Sequence, residues 1–305
     1  MADAPAPERV LIFRTGSLGD TAFNLPVFHH LNRLWPDAEK RVLTNFPVAA
    51  EAPPLQAVLG DVSFAQGYFE YPGGTRSVAE VCAVARRIRE WRPDVAVYAN
   101  ERRPLAATLR DGLFLKLCGA RRVYGLPLSR DVRTHRYDAA TGLYEREVSR
   151  IARALAALGK IDIAAPANRD MLLTDAETSA ADALLAGWDG SGRFIAFSPG
   201  TKQAVKDWTD ANWIAAFEAL SAEDPELGLA IVGAPEDRER SDGLAAHWRG
   251  PVINFCGRAN PRESAAVIAR AAAFLGNDSG PMHLAASVGV SAVAVFSTLA
   301  PPGVW

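Results

Sequence analysis

The chain has 305 residues, 49% of them hydrophobic, and a formal net charge of −2. That length suits one large core or, better, two medium ones, and the near-neutral charge argues against nucleic acid as a partner of the whole chain. No apolar stretch approaches the ~20 residues of a membrane span, and the MADAPAPER start lacks a basic block followed by an apolar one, so the expectation is a cytoplasmic protein.

Arg9–Arg14 (RVLIFR) reads as a first strand buried on both faces. The turn Arg14-Thr15-Gly16-Ser17-Leu18-Gly19-Asp20 follows it, with two glycines that allow a tight bend at the strand's carboxyl end, where open α/β sheets bind ligands. The turn is neither a dinucleotide fingerprint nor a P-loop, because GxGxxG and GK[ST] are both missing. Its carboxylate, Asp20, fits two roles that can coexist: a helix N-cap and a catalytic base. Apolar residues at Phe23, Val27, Leu31 and Leu34 predict a helix over Thr21–Leu34. A short strand is expected at Arg41–Leu43, a helix at Val78–Trp91 with a basic face, and a strand at Asp94–Tyr98. The Asn100–Pro104 loop would lie at that strand's carboxyl end, with Arg102 and Arg103 as ordinary surface arginines or, on the family resemblance described below, as candidates for an anionic acceptor. Helices are expected at Leu105–Leu117 and Arg146–Leu158. Cys82, Cys118 and Cys256 lie far apart without CxxC spacing and read as small buried hydrophobes, not as metal ligands.

Gly159–Asp170 has weak periodicity, and residues 161–170 read as a linker between a domain over 1–160 and another over 171–305. The alternation then restarts. A helix is predicted over Asp175–Leu185 and a strand over Phe194–Ser198, followed by the loop SPGTKQAVKDW. Two of the chain's five lysines fall in that loop. Gly200, Thr201, Lys202 and Lys206 could cradle a diphosphate or simply face solvent, with Trp208 closing the packing beneath. The expected order continues with helix Asp210–Leu220, strand Leu229–Val232, helix Glu236–His247, strand Val252–Phe255 and helix Arg262–Ala271. At Val232–Asp237, Glu236 and Asp237 suit either ribose hydroxyls or the first turn of a helix. An apolar run at Ala272–Leu275 then breaks into Gly276-Asn277-Asp278-Ser279-Gly280, followed by a Pro-led helix carrying His283 and a strand at Ala292–Phe296. Such a turn aims N–H groups, a hydroxyl and a helix's positive end at one point, which suits a phosphate. His283 fits direct contact with that ligand or support of Asp278.

Taken together, RTGSLGD, SPGTKQAVKDW, VGAPED and above all NDSGPMHLAASVGV make the chain resemble the family-nine glycosyltransferases, best known as ADP-heptose:lipopolysaccharide heptosyltransferases. The resemblance implies a GT-B architecture: two Rossmann-like, doubly wound parallel-sheet domains facing a cleft, acceptor on the first and nucleotide-sugar donor on the second. It implies an inverting, metal-independent transfer with no cofactor, Asp20 as base, and Lys206 neutralising the diphosphate beside Thr201 and Lys202. Asp278, Ser279 and Gly280 would form the donor turn. The implied partners are ADP-heptose and a lipid-linked or glycan acceptor, with peripheral contact to the inner membrane surface. The end at Pro301–Trp305 reads as short of the family's crossover helix, an expected truncation. Two alternatives stand beside this reading: a GT-B enzyme using another nucleotide sugar, and a non-catalytic nucleotide-sugar-binding relative.

Overall fold

The structure, a computed structural model, describes residues 5–46, 53–60, 64–75, 77–188 and 192–305. Two compact units divide the chain: Met1–Asn168 together with Leu299–Trp305, and Arg169–Thr298.

In the first unit the elements run β1 (Arg9–Phe13), α1 (Leu18–Ala22), α2 (Leu25–Leu34), β2 (Glu39–Asn45), α3 (Gln56–Leu59), β3 (Gly67–Tyr71), α4 (Val78–Trp91), β4 (Val95–Tyr98), α5 (Leu105–Leu117) and β5 (Arg122–Tyr124). The sheet is parallel in the order β3-β2-β1-β4-β5. Val10, Leu11 and Ile12 of the central strand are completely buried, as expected of a strand covered on both faces by helices. Beyond β5 come α6 (Arg130–Arg133), an antiparallel hairpin of β6 (Tyr137–Asp138) and β7 (Leu143–Tyr144), and α7 (Glu147–Ala154).

Several expectations need correction here. The single helix over Thr21–Leu34 is two helices, because Pro26 has no N–H for a continuous ladder but fits the first turn of a new helix. The helix expected to run to Leu158 ends at Ala154 and passes into a single 3-10 turn. Residues 161–168 are not a free linker, since Ile161 and Asn168 are buried and the Asn168 amide donates to the Asp162 carbonyl at 2.5 Å. Leu299–Trp305, placed by expectation in the second domain, belongs to the first unit. There the Tyr144 and Glu147 amides donate to the Pro302 and Val304 carbonyls, and the Trp305 ring meets Phe23 edge-on at 5.1 Å. Cys118 and Cys256 are buried as expected, but Cys82 is exposed on the outer face of α4.

The second unit repeats the first. Its elements are α8 (Asp175–Leu185), β8 (Phe194–Ser198), α9 (Asp210–Glu223), β9 (Gly228–Ile231), α10 (Arg238–Ala245), β10 (Val252–Asn254), α11 (Pro261–Ile268), β11 (Ala273–Asn277), α12 (Gly280–Ser287) and β12 (Ala292–Val295). The parallel order β10-β9-β8-β11-β12 matches the first sheet strand for strand. An aromatic wedge fills one face: Trp213 meets Phe197 at 5.0 Å and Trp208 at 4.7 Å, while Phe217 packs on Phe197 and Trp248. Trp208 thus does close the packing under the lysine loop. Among the described residues no helix is long and apolar enough to cross a membrane.

Candidate functional site

In a doubly wound sheet the connections leave the central strands in opposite directions, and the loops at that switch part to leave a crevice at the carboxyl edge. The switch lies between β1 and β4 in the first unit and between β8 and β11 in the second. Each switch carries one cluster of polar side chains.

At the first switch, Arg14 is fully buried. Its guanidinium donates to the Ala99 carbonyl at 3.2 Å and to the Asp20 carbonyl at 2.5 Å. Gly16 turns the chain at φ +125°, and a Cβ there would sit 2.5 Å from Asp20 Oδ2, so the glycine serves both the turn and the carboxylate. Ser17, not Asp20, is the N-cap residue of α1; Asp20 is the third helical residue, and its carboxylate accepts the Ser17 amide. One carboxylate oxygen of Asp20 thus serves the capping box, and the second is left beside Arg14 at 4.0 Å.

The Asn100–Pro104 loop closes over this turn. Asn100 Oδ1 accepts from the Thr15 amide at 2.7 Å and the Thr15 hydroxyl at 2.9 Å. Glu101 brings a second carboxylate, 3.4 Å from Arg14 Nη2. Burial pushes Glu101 up to about 7; Arg14 opposes this, while the Asp20 charge and a hydrogen bond to Asp20 add to it. Burial also works to raise Asp20, but Arg14, the hydrogen bond from Glu101 and the Ser17 contacts hold it below the usual carboxylate range. Of the two carboxyls, Asp20 is the one held low and Glu101 the one held high. The sequence reading passed over Glu101; an acid three residues past the end of β4 was the available signal.

The two arginines of this loop have different positions. The Arg102 side chain is exposed, and its backbone amide donates to Glu147 at 2.8 Å. Arg103 is drawn inward, donating to Thr15 Oγ1 at 2.6 Å and Asp111 Oδ2 at 2.9 Å. Beneath them Arg150 is buried, bridging Glu147 at 2.6 Å and the Asn100 carbonyl at 3.1 Å, while His135 reaches Glu147 at 2.6 Å. No periodicity argument could find this network, because its members lie on α7 and in the loops before β6 and after β4.

At the second switch, Lys206 Nζ donates to Asp278 Oδ2 at 2.7 Å, joining the loop after β8 to the end of β11. Asn277 donates to the Pro199 carbonyl at 2.7 Å and ties the same two loops from below. Ser279 caps α12, and its buried hydroxyl has no hydrogen-bond partner among the described residues. Gly280 opens the helix, and His283 lies half-buried one turn further. Thr201 is half-buried and Lys202 exposed at the loop's outer edge. Asp237 accepts the Ala234 amide at 3.0 Å and crowds Gly200, where a Cβ would lie 2.6 Å from Oδ2. Burial raises the Asp237 carboxyl, with the Ala234 amide opposing. Glu236 is exposed beside it. The structure thus brings Gly200, Lys206, Asp237, Asp278, Ser279 and Gly280 to the carboxyl edge of one sheet, with the Lys206–Asp278 ion pair next to the amino end of α12 and its Ser279 hydroxyl, which has no partner among the described residues.

The sequence matches the profile of glycosyltransferase family 9 (heptosyltransferase) over residues 118–302, more than half of the chain and all of the second switch. The chain belongs to glycosyltransferase family 9. Among curated proteins, this family 9 chain is 28% identical to lipopolysaccharide heptosyltransferase 3 of Escherichia coli over 104 residues, 34% of this chain and 31% of that relative. The matched stretch therefore spans about a third of the relative's length. Among solved structures, a family 9 glycosyl transferase from Veillonella parvula superposes with a TM-score of 0.74 at 19% identity, over 96% of this chain and 82% of its own. The Escherichia coli heptosyltransferase WaaC, solved with ADP-2-deoxy-2-fluoro heptose, gives a TM-score of 0.65 at 18% identity, over 97% and 90%. These likenesses establish the fold of the family 9 chain as GT-B, with two Rossmann-like units.

Proposed function

We propose that the chain is an inverting glycosyltransferase that moves a heptose from ADP-heptose to a lipopolysaccharide-core or related glycan acceptor. The observation that carries this reading is the Lys206–Asp278 junction with the unpaired Ser279 hydroxyl at the start of α12, all inside the matched family segment. The WaaC neighbour binds an ADP-heptose analogue, which supports the same donor here.

In this reading the diphosphate lies against the amino end of α12. Lys206, beside Lys202 and Thr201, offsets the charge that grows on the departing ADP, so no divalent cation is required for that task. Ser279 and the Gly280 N–H donate to phosphate oxygens, His283 supports them, and Glu236 and Asp237 accept ribose hydroxyls. On the first unit, Asp20 takes the proton of the acceptor hydroxyl as its oxygen attacks the anomeric carbon. The glycosidic C–O bond to ADP breaks as the new C–O bond forms, and the configuration inverts. An ionised, low-pKa aspartate can do this because the hydroxyl becomes far more acidic as it attacks. Arg102 meets an anionic group of the acceptor, and Arg103 holds Thr15 and, through it, the turn that carries Asp20.

Calorimetric titration with ADP and with UDP, each with and without EDTA, followed by a transfer assay with ADP-heptose, tests the reading. Expected are ADP binding indifferent to EDTA and transfer to an inner-core acceptor. Preference for UDP would replace the donor, and ADP binding without transfer to any core acceptor would leave a nucleotide-binding relative.

A further inference from the structure

Helix α5 is apolar on the wrong side. The face it turns to the first unit's core carries Thr108, Asp111, Gly112 and Leu115, two polar residues and a glycine among them. The outer face carries Leu105, Leu109, Leu113 and Leu117, which are 38%, 54%, 62% and 59% exposed. Spaced four apart, they form one continuous stripe about 18 Å long that winds slowly round the helix. Burying them inside this unit would stabilise it, yet the fold leaves all four in water. A contiguous apolar patch of this kind marks a contact surface.

The charges around the stripe identify the contact. Arg110 is 72% exposed beside Leu109 and Leu113, and Lys116 is exposed beside Leu117. Arg102 precedes the helix, and Arg121 and Arg122 follow it, all exposed. The helix's one acid, Asp111, is buried and held by Arg103, Arg110 and Tyr98. A second copy docked on this face would set cation against cation with no exposed acid on the helix to pair them. An anionic lipid surface meets both features at once: leucines enter the headgroup boundary and the flanking cations meet phosphates. We infer that the outer face of α5 is the surface through which this protein lies on an anionic phospholipid bilayer. The inference deepens the proposed function, since α5 starts directly after the Asn100–Pro104 loop and so sets the Asp20 turn beside the surface that would hold a lipid-linked acceptor.

The test is sedimentation of the full chain with vesicles of phosphatidylcholine alone and of phosphatidylcholine with phosphatidylglycerol, at low and high salt. The L109Q/L113Q variant is run in parallel, with circular dichroism as a check on folding and ADP titration as a separate reading of the donor half. Expected are binding to the anionic vesicles that weakens with salt, and at least tenfold weaker binding by L109Q/L113Q with ADP affinity unchanged. Failure of the parent chain to sediment with anionic vesicles, or equal binding by the variant, would overturn the inference. So would a dimer seen by light scattering that L109Q/L113Q abolishes, because the stripe would then belong to a second copy. Absence of ADP binding would count against the proposed donor alone.

Discussion

Arg14 Nη2 lies 3.4 Å from Glu101 Oε1, and the same nitrogen stands 4.0 Å from Asp20 Oδ1. One buried cation thus faces two carboxylates, and a single positive charge cannot keep both ionised at low cost. The fold resolves the conflict by lowering Asp20 and raising Glu101 to about 7.

A pH dependence of stability follows from this pair. Glu101 is raised in the folded state, so its contribution is full below its ordinary value of 4.5 and is lost as pH rises through about 7. Asp20 is lowered, so its contribution is present above 3.8 and is lost only as pH falls through its folded value. Between about pH 5 and 8 the melting temperature is therefore expected to decline, and E101Q should flatten that decline. The Glu101 side chain is 38% exposed, so water screens the effect and keeps it small. Thermal melts of both proteins across that range check it.

D20N is expected to lower turnover by about 10²- to 10⁴-fold, the usual contribution of a positioned base, with ADP affinity unchanged. Steady-state transfer rates and ADP titration of the same preparation separate the two effects. Turnover within threefold of the parent would remove Asp20 from the base role.

K206A removes one partner of a 2.7 Å ion pair whose other member, Asp278, is 8% exposed. The stranded carboxylate should cost about 1–3 kcal/mol of stability, and the lost ammonium should weaken ADP binding about tenfold or more. The double variant K206M/D278N should recover part of the stability and none of the affinity. Urea unfolding and calorimetry measure the two quantities independently.

R150M leaves Glu147 buried without its strongest partner and frees the Asn100 carbonyl. A loss of about 3–5 kcal/mol is expected, with a smaller loss in R150M/E147L, where neither charge is stranded. Chemical denaturation of the set gives the coupling between the two residues.

The parallel sheets were legible because their central strands carry the uninterrupted apolar runs VLIF and FIAF, and because Gly-containing turns follow their carboxyl ends. β3 was not legible: Gly67 opens it and Glu70 interrupts it, so only pairing with β2 makes it a strand. β5 has three residues and begins with an exposed arginine. The donor-side cluster was readable since Lys206, Asp278 and Ser279 lie in two compact motifs. The Arg14–Asp20–Glu101 cluster was half readable. Asp20 stands in a Gly-rich turn, whereas Glu101 gains its meaning only when β4 is laid beside β1, 85 residues away in the register Val10↔Val95. Likewise α5 scans as an ordinary apolar helix until the sheet shows which side faces inward.

The first unit is assembled from two separated pieces of chain: it is left at Asn168 and rejoined at Leu299. On a ribosome, the amides of Tyr144 and Glu147 would wait for the Pro302 and Val304 carbonyls until the whole second unit had been synthesised. The order of synthesis thus runs against the order of completion, so the second unit has all its parts before the first does. Nascent chains stalled before Leu299 should expose the β7–α7 junction to protease, and chains in which Leu299–Trp305 has cleared the ribosome should protect it.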